Sequence, residues 1–462
     1  MRSPYKIIIG LLLTVVLAFT AQQTLAQSQS TIMAQNSGQN SSILFENVRI
    51  FNGQSEQLSA PSNVLVIDNK IQEINTNRIN PPSGANLTRI NGNGRILMPG
   101  LIDNHVHLIF TSSTLPELLS PNVTEETIFA RAEVQAEEML LRGFTTVRDL
   151  GGPVFPLKRK IDQGQVPGPR IYPSGAMISQ TSGHGDFRTL NERSRRFGGT
   201  ISRGEEMGAT FIADGRDDVL TATRENLRQG ASQIKVMAGG GVSSIYDPID
   251  VTQYTLDEMK AAVEAAADWG TYVTVHAYTP RAVRRAIEAG VKCIEHGQLL
   301  DEDTMKILAE KDIWLSAQVF EERETPGFTE EQKAKRTLVV QGVTNAFNWA
   351  KKYNIKLAWG TDYLFVPERN QRQNQDIVNL TEWFTPFEAL KLITHDNAQL
   401  LKLSGERNPY KEGALGVIEK DAYADLILVD GNPLEDLSIM GDYANKFRVI
   451  VKDGKIYKNT LS

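Results

Sequence analysis

The sequence predicts an α/β protein whose centre is a (β/α)8 TIM barrel. Three observations carry this. Across residues 99–402, short apolar runs alternate with helical patterns, the order that gives parallel strands covered by helices. Eight such runs fall within about 300 residues, the span of a barrel with insertions. The polar residues that interrupt them stand at the C-terminal ends of the runs, where barrels keep their reactive groups. A doubly wound sheet is the alternative that alternation alone leaves open.

The eight strands are read in order. Gly100 to His107 comes first, then Thr145-Thr146-Val147 and Arg170-Ile171-Tyr172. Gln233 to Met237, Tyr272 to His276, Lys292 to Glu295, Ile313 to Ala317 and Lys356 to Trp359 follow. Thr124 is expected to cap a helix running to about Leu141, with Gly143 ending it. Further helices are expected over 256–269, 280–289, 301–310 and 330–353. The stretch 185–230 is long for a connection between strand and helix. It reads as a lid over the site or as a solvated excursion.

Flanking segments read differently. Val64 to Ile67, then Asp68-Asn69, then Ile71 and Ile74 form a hairpin pattern. Near the other end, Asp425 to Val429 reads as a strand. Arg448 to Val451, Asp453-Gly454 and Ile456-Tyr457 make a second hairpin signal.

The first 26 residues read as an export signal. Arg2 and Lys6 precede an apolar run from Ile7 to Ala21, and Thr24-Leu25-Ala26 offers a cleavage site. The run is about 15 residues, short of the roughly 18 to 20 that span a bilayer. Residues 27–42, rich in Gln, Ser and Asn, read as a disordered leader. The mature chain is therefore expected in the periplasm or outside the cell, with no membrane contact after cleavage.

Composition excludes some chemistry. The chain has 462 residues, 49 Lys+Arg against 55 Asp+Glu, one cysteine and six histidines. A single cysteine excludes an intrachain disulfide and a thiolate zinc cluster. Net charge of −6 argues against a nucleic-acid surface. Any metal here must be held mostly by imidazoles and carboxylates.

His105 and His107 are two apart on the first strand, so both side chains share one face and can chelate one ion. Lys235 lies inside an apolar strand, where a cation is costly. It either snorkels to solvent or is neutral and reacts with CO2, giving a carbamate able to bridge two metals. His276, His296 and Asp362 each end a strand. Four histidines, a lysine and an aspartate thus fall on five strand ends of one expected barrel. His395, in Thr394-His395-Asp396, lies away from this set and reads as structural. Cys293 reads as a packing residue.

Those residues carry a resemblance. Met98-Pro99-Gly100-Leu101-Ile102-Asp103-Asn104-His105-Val106-His107, Lys235, His276, His296 and Asp362 resemble the metal-binding motifs of the amidohydrolase superfamily. Ala424-Asp425-Leu426-Ile427 and Asn432-Pro433-Leu434 look like its closing strands, although Lys420-Asp421 replaces a frequent Gly. The resemblance covers about residues 43–458. Gly143 to Asp149, Ser182-Gly183-His184-Gly185, Lys235 to Gly241 and His276-Ala277-Tyr278 are similar to the imidazolonepropionase-like branch, with its prolidases and Xaa-Arg/Xaa-Lys carboxypeptidases.

The resemblance implies a small β-sandwich built from both chain ends, residues 43–98 and 403–462, beside a barrel at 99–402. It implies two divalent metal ions, with Zn favoured by the nitrogen and oxygen ligands. His105, His107 and Asp362 would hold one, His276 and His296 the other, and carboxylated Lys235 would bridge them. Asp362 would also move the proton, and His184 and Tyr278 would contact substrate. The expected activity is hydrolysis of an amide C–N bond in a dipeptide (Xaa-Pro or Xaa-Arg/Lys like) or an N-acyl amino acid. Glu321, Glu322 and Glu324 could favour a basic side chain, or form a solvated charge run. Cyclic-amide, lactone or phosphotriester hydrolysis is the second enzyme reading, and a non-catalytic scaffold the third. Lys235 and the Ala277-Tyr278 that follows His276 disfavour a deaminase. The expected partner is a small molecule or short peptide, with homo-oligomers allowed.

Overall fold

The computed structural model describes residues 41–82, 86–323 and 327–461. The expected export signal and most of the leader lie outside the described residues. Ser41 and Ser42, expected in the leader, already belong to the strand Ser41–Ile50. Ser42 pairs there with Ile67 on one side and Leu87 on the other.

The two chain ends share one eight-stranded sheet. The hairpin Ser62–Ile67 and Lys70–Asn75 pairs with Ser41–Ile50, its turn made by Asp68 at φ 52°. Ile96–Pro99 then runs parallel to Ser41–Ile50 and antiparallel to Leu426–Val429. Phe447–Lys452 and Lys455–Asn459 complete it as the expected second hairpin. Phe45, Val64, Ile71 and Leu97 from the first end pack with Leu426, Leu428, Val449 and Val451 from the second.

The middle of the chain forms two parallel sheets. Leu101–Val106, Phe144–Asp149 and Arg170–Pro173 make the first. The second runs Thr210–Ile212, Met177–Ser179, Ile234–Met237, Val273–Ala277, Cys293–His296, Trp314–Ala317 and Leu357–Trp359. From Ile234–Met237 onward each strand pairs with the next in sequence. No reversal of strand order occurs there, unlike in a doubly wound sheet. Two backbone hydrogen bonds join the sheets at their facing edges. Ser232 N–H donates to Pro173 O at 2.7 Å, and Asp362 N–H donates to His105 O at 2.8 Å.

Local chemistry accounts for the helices. Thr124 accepts from Thr127 N–H at 3.2 Å and opens Glu125–Leu141, with Gly143 at φ 94° beyond its end. Reciprocal Thr–Glu or Thr–Gln caps open Leu256–Asp268 and Glu330–Lys352. Pro280–Ala289 and Glu302–Glu310 also appear where expected.

The stretch 185–230 is not one long loop. It holds the short helix Arg203–Glu206, the strand Thr210–Ile212 and the helix Arg216–Gln229. That last helix buries Val219, Ala222, Thr223, Asn226 and Leu227. Its inner face includes small and polar residues, so its apolar spacing is faint in sequence.

Candidate functional site

Five strands deliver the six predicted ligands to one cavity of 680 Å³. His105 lies within Leu101–Val106 and His107 just past it. Lys235 and His276 are inside their strands, His296 is the last residue of Cys293–His296, and Asp362 follows Leu357–Trp359. His105, His107 and Asp362 present donor atoms within 4.8 Å of one another. Ring centroids are 5.1 Å apart for His105–His296 and 4.4 Å for His276–His296. His296 at φ 79° and Asp362 at φ 52° both sit in the left-handed region. Such backbone is costly for a side chain other than glycine and clusters at working sites. Gly360 makes room for this arrangement, because a Cβ there would lie 2.4 Å from the His105 backbone nitrogen.

Hydrogen bonds fix which nitrogen is free in three of the four imidazoles. His107 Nδ1 faces Gly151 O at 3.3 Å, and His296 Nδ1 faces Gln318 Oε1 at 2.7 Å. Both acceptors require an N–H at Nδ1, leaving the Nε2 lone pair free. His105 Nδ1 lies 3.0 Å from Glu295 Oε2, while its Nε2 stands 3.3 Å from Asp362 Oδ1. His276 is reversed: its Nε2 faces Gly240 O at 3.1 Å, so Nδ1 carries the free pair.

Electrostatics agree with a donor set. Burial lowers His105 to about 4 and drives His276 and His296 well below the ordinary imidazole value. Neutral imidazoles keep their lone pairs. Burial would raise the Asp362 carboxyl, but the facing His105, His107 and His296 rings hold it well below the usual range. Burial lowers Lys235 to about 8, partly opposed by Glu295. Lys235 is 1% exposed. Neutral imidazoles, an ionised carboxylate and a buried amine that gives up its proton more readily than a free lysine suit divalent cations.

Sequence reasoning missed the support beneath this set. Glu295 and Arg148 are fully buried and paired at 2.7 Å. Arg148 also donates to Asn104 O at 2.7 Å and to the hydroxyls of Tyr272 and Ser316. Burial alone would raise Glu295; Arg148 and His105 hold it ionised. An arginine in Thr146-Val147-Arg148-Asp149 and a glutamate just before His296 were the only sequence signals. Cys293 is buried as expected, with its thiol beside Arg148 and Glu295.

His184 and Tyr278 both line the cavity. His184 stacks on His276 at 4.1 Å, with Nδ1 held by Ser244 Oγ at 2.7 Å and Asp247 nearby. Gly241 permits this, since a Cβ there would lie 2.0 Å from His184 Nδ1. Tyr278 stacks on His296 at 4.9 Å, and burial keeps its phenol protonated. His395 contacts Asp396 and lies off the cavity wall. Glu321 faces Asn379 and Arg372, Glu322 is exposed, and Glu324 lies outside the described residues.

Comparison with known proteins follows the same lines. The family model described as "Amidohydrolase family" matches residues 96–458. Ochratoxinase from Aspergillus niger is 32% identical over 373 residues, 79% of this chain and 76% of that protein. A crystal structure of a prolidase complexed with N-methylphosphonate-L-proline is 32% identical, with TM-score 0.81, covering 91% of this chain and 100% of that one. A Xaa-Pro dipeptidase with bound methionine in its active site is 29% identical, with TM-score 0.77 and the same coverage.

Proposed function

We propose that this chain, which belongs to the amidohydrolase family, hydrolyses the amide C–N bond of a dipeptide or N-acyl amino acid at a site for two divalent metals. It is a hydrolase acting on C–N bonds, and its solved neighbours include a prolidase and a Xaa-Pro dipeptidase. The observation that carries the finer reading is the donor set itself: four imidazoles, Asp362 and buried Lys235 around one cavity.

His105, His107 and Asp362 would hold one metal, and His276 and His296 the other. Carboxylated Lys235 would bridge them. The metals would supply Lewis-acid polarisation of the scissile carbonyl and acidification of water, with Zn the best chemical match. The residues do the rest. Asp362 accepts the proton released as water adds to the carbonyl carbon. It returns that proton to the leaving amine as the C–N bond breaks. Tyr278 stays a neutral donor beside the developing oxyanion. His184, pinned by Ser244, orients substrate.

The two parallel sheets are read here as one closed eight-stranded barrel at 99–402. The shared sheet is read as a β-sandwich of 43–98 and 403–462. Export directed by the first 26 residues is part of the same proposal. Hydrolysis of a cyclic amide or lactone is the second reading; the open cavity with its row of phenylalanines favours an extended substrate instead.

Metal analysis of the purified chain should find about two ions per molecule. A screen against dipeptides, N-acyl amino acids, lactones and phosphotriesters should show turnover of the first two classes. Asp362→Asn should lower kcat by about 10²–10⁴-fold. Near-normal kcat in that variant with its metals still bound would overturn the role given to Asp362.

A further inference from the structure

His184 is fixed by side chains of a loop that has few ties of its own. The root of that loop is closed by backbone: Gly240 N–H donates to Val251 O at 3.3 Å, and Gln253 N–H donates to Ala238 O at 2.8 Å. Among the described residues, no backbone-to-backbone hydrogen bond reaches 242–247. Side chains from two other segments hold this tip instead. Ser182 Oγ donates to Tyr246 O at 3.1 Å. From the helix Glu330–Lys352, Gln332 Nε2 donates to Ser243 O at 2.6 Å. Lys335 Nζ, one turn on, donates to Asp247 O at 2.9 Å and to Ser244 O at 3.3 Å.

A lysine on a helix usually carries its amine out to solvent along its stem. Lys335 does not, being 4% exposed. A polar group so buried needs partners. The two loop carbonyls supply them, with the exposed Glu331 carboxylate at 3.4 Å as an ionic neighbour. Lys335 is no part of the cavity wall, so it reaches the site only through the loop.

The loop in turn presents two acceptors to His184 Nδ1. Ser244 Oγ stands at 2.7 Å and Asp247 Oδ2 at 3.5 Å. Asp247 is buried, and its Oδ2 also accepts from Gly241 N–H at 2.8 Å. Burial would raise this carboxyl, but His184, Ser244 and Gly241 N–H hold it below the usual range. An ionised carboxylate only accepts, and a serine hydroxyl can accept too, so Nδ1 carries the hydrogen. Stacking on His276 sets the plane of the ring. The loop sets which nitrogen keeps its lone pair for the cavity.

We infer that Lys335 is a positioning residue for His184. With help from Gln332 it holds 243–247 so that Asp247 and Ser244 keep the hydrogen on Nδ1, and the Nε2 lone pair meets substrate as an acceptor. The use of His184 as a substrate contact rests on the amide-hydrolase reading above. The tautomer and its dependence on Lys335 do not.

The test reads the ring nitrogens of zinc-loaded protein labelled with 15N at histidine, where protonated and bare nitrogens resonate apart. The chain has six histidines, and the His184 signals are those lost in His184→Gln. The parent should show a protonated Nδ1 and a bare Nε2. Lys335→Met keeps the stem and removes the donor. It should move the His184 signals toward the averaged values of a mobile imidazole, while the other histidines keep their protonation pattern. Lys335→Arg, which again offers N–H groups to the carbonyls, should return the parent pattern. A bare Nδ1 in the parent, or parent-like His184 signals in Lys335→Met, would overturn the proposal. Should Lys335→Met not fold, Gln332→Leu frees Ser243 O alone and should move the same signals in the same direction; no movement there would sink it as well.

Kinetics with methionylproline separate this proposal from the reading it rests on. Lys335→Met should raise KM by about tenfold, the scale of one lost hydrogen bond, with kcat little changed and metal content normal. A fall in kcat at unchanged KM would remove His184 as the group that holds substrate. A parent enzyme that hydrolyses no amide, yet gives the expected histidine spectra, would remove the amide-hydrolase reading and support the Lys335 assignment.

Discussion

Glu295 holds no place in the metal set, yet it decides how His105 enters it. One carboxylate oxygen stands at 3.0 Å from His105 Nδ1, and the other is held at 2.7 Å by Arg148. The imidazole therefore points Nε2 into the cavity. Replacing Glu295 by Gln keeps the volume but leaves buried Arg148 without its counter-charge. Metal affinity should fall by about 10–100-fold, the usual effect of losing such a supporting partner. Titration against a competing chelator reads this, with circular dichroism as the check on folding. Unchanged affinity would reduce Glu295 to a structural partner of Arg148. The six candidate ligand positions were legible because each is a polar residue within or at the end of an apolar strand. Glu295, Arg148 and Gln318 were not. A buried ion pair looks like two unrelated surface charges until the strands are laid side by side.

Strands and helices follow the same division at the scale of elements. Glu125–Leu141, Leu256–Asp268 and Glu330–Lys352 were legible because threonine caps open them and their apolar spacing is regular. Met177–Ser179 and Thr210–Ile212 were not, since three-residue strands carry no period to read. Gly239-Gly240-Gly241 shows a further limit. Sequence shows it only as part of a family-like motif, while its use lies in contacts with other segments. A Cβ on Gly240 would lie 1.9 Å from Pro248 O, and one on Gly241 would collide with His184. Gly241→Ala should therefore push His184 off His276. The expected result is a loss in kcat/KM of about tenfold or more, since small misplacements near the reacting groups are costly. Metal content should stay normal, because none of the metal-facing nitrogens moves. Loss of metal in parallel with activity would mean that the loop supports the ligands and not the substrate contact.

At the scale of the molecule, the question is what ties the shared sheet of the chain ends to the parallel sheets that carry the site. Part of the answer is Arg170, at the start of Arg170–Pro173. Its Nε donates to Asp425 Oδ2 at 3.0 Å, and its guanidinium lies over the Tyr423 ring at 3.9 Å and also pairs with Asp453. Asp425 precedes Leu426–Val429, so one buried arginine joins the two layers. The flanking strands were legible as hairpins, but their union followed only from the family resemblance, because pairing across some 300 residues leaves no local pattern. Asp425→Ala removes the buried partner of this cation, leaving only the half-exposed Asp453, and should cost about 3 kcal/mol in urea unfolding. Asp453 is half open to solvent and should matter less. Burial pulls its carboxyl upward, but Arg170 holds it below the ordinary range. A lowered folded value means stability that is present above the unfolded carboxylate value near 4 and lost as pH falls through the folded one. The stability gap between the parent and Asp453→Asn should thus be largest at neutral pH and close below that window. A gap that persists in acid would show that Asp453 acts through packing and not through its charge.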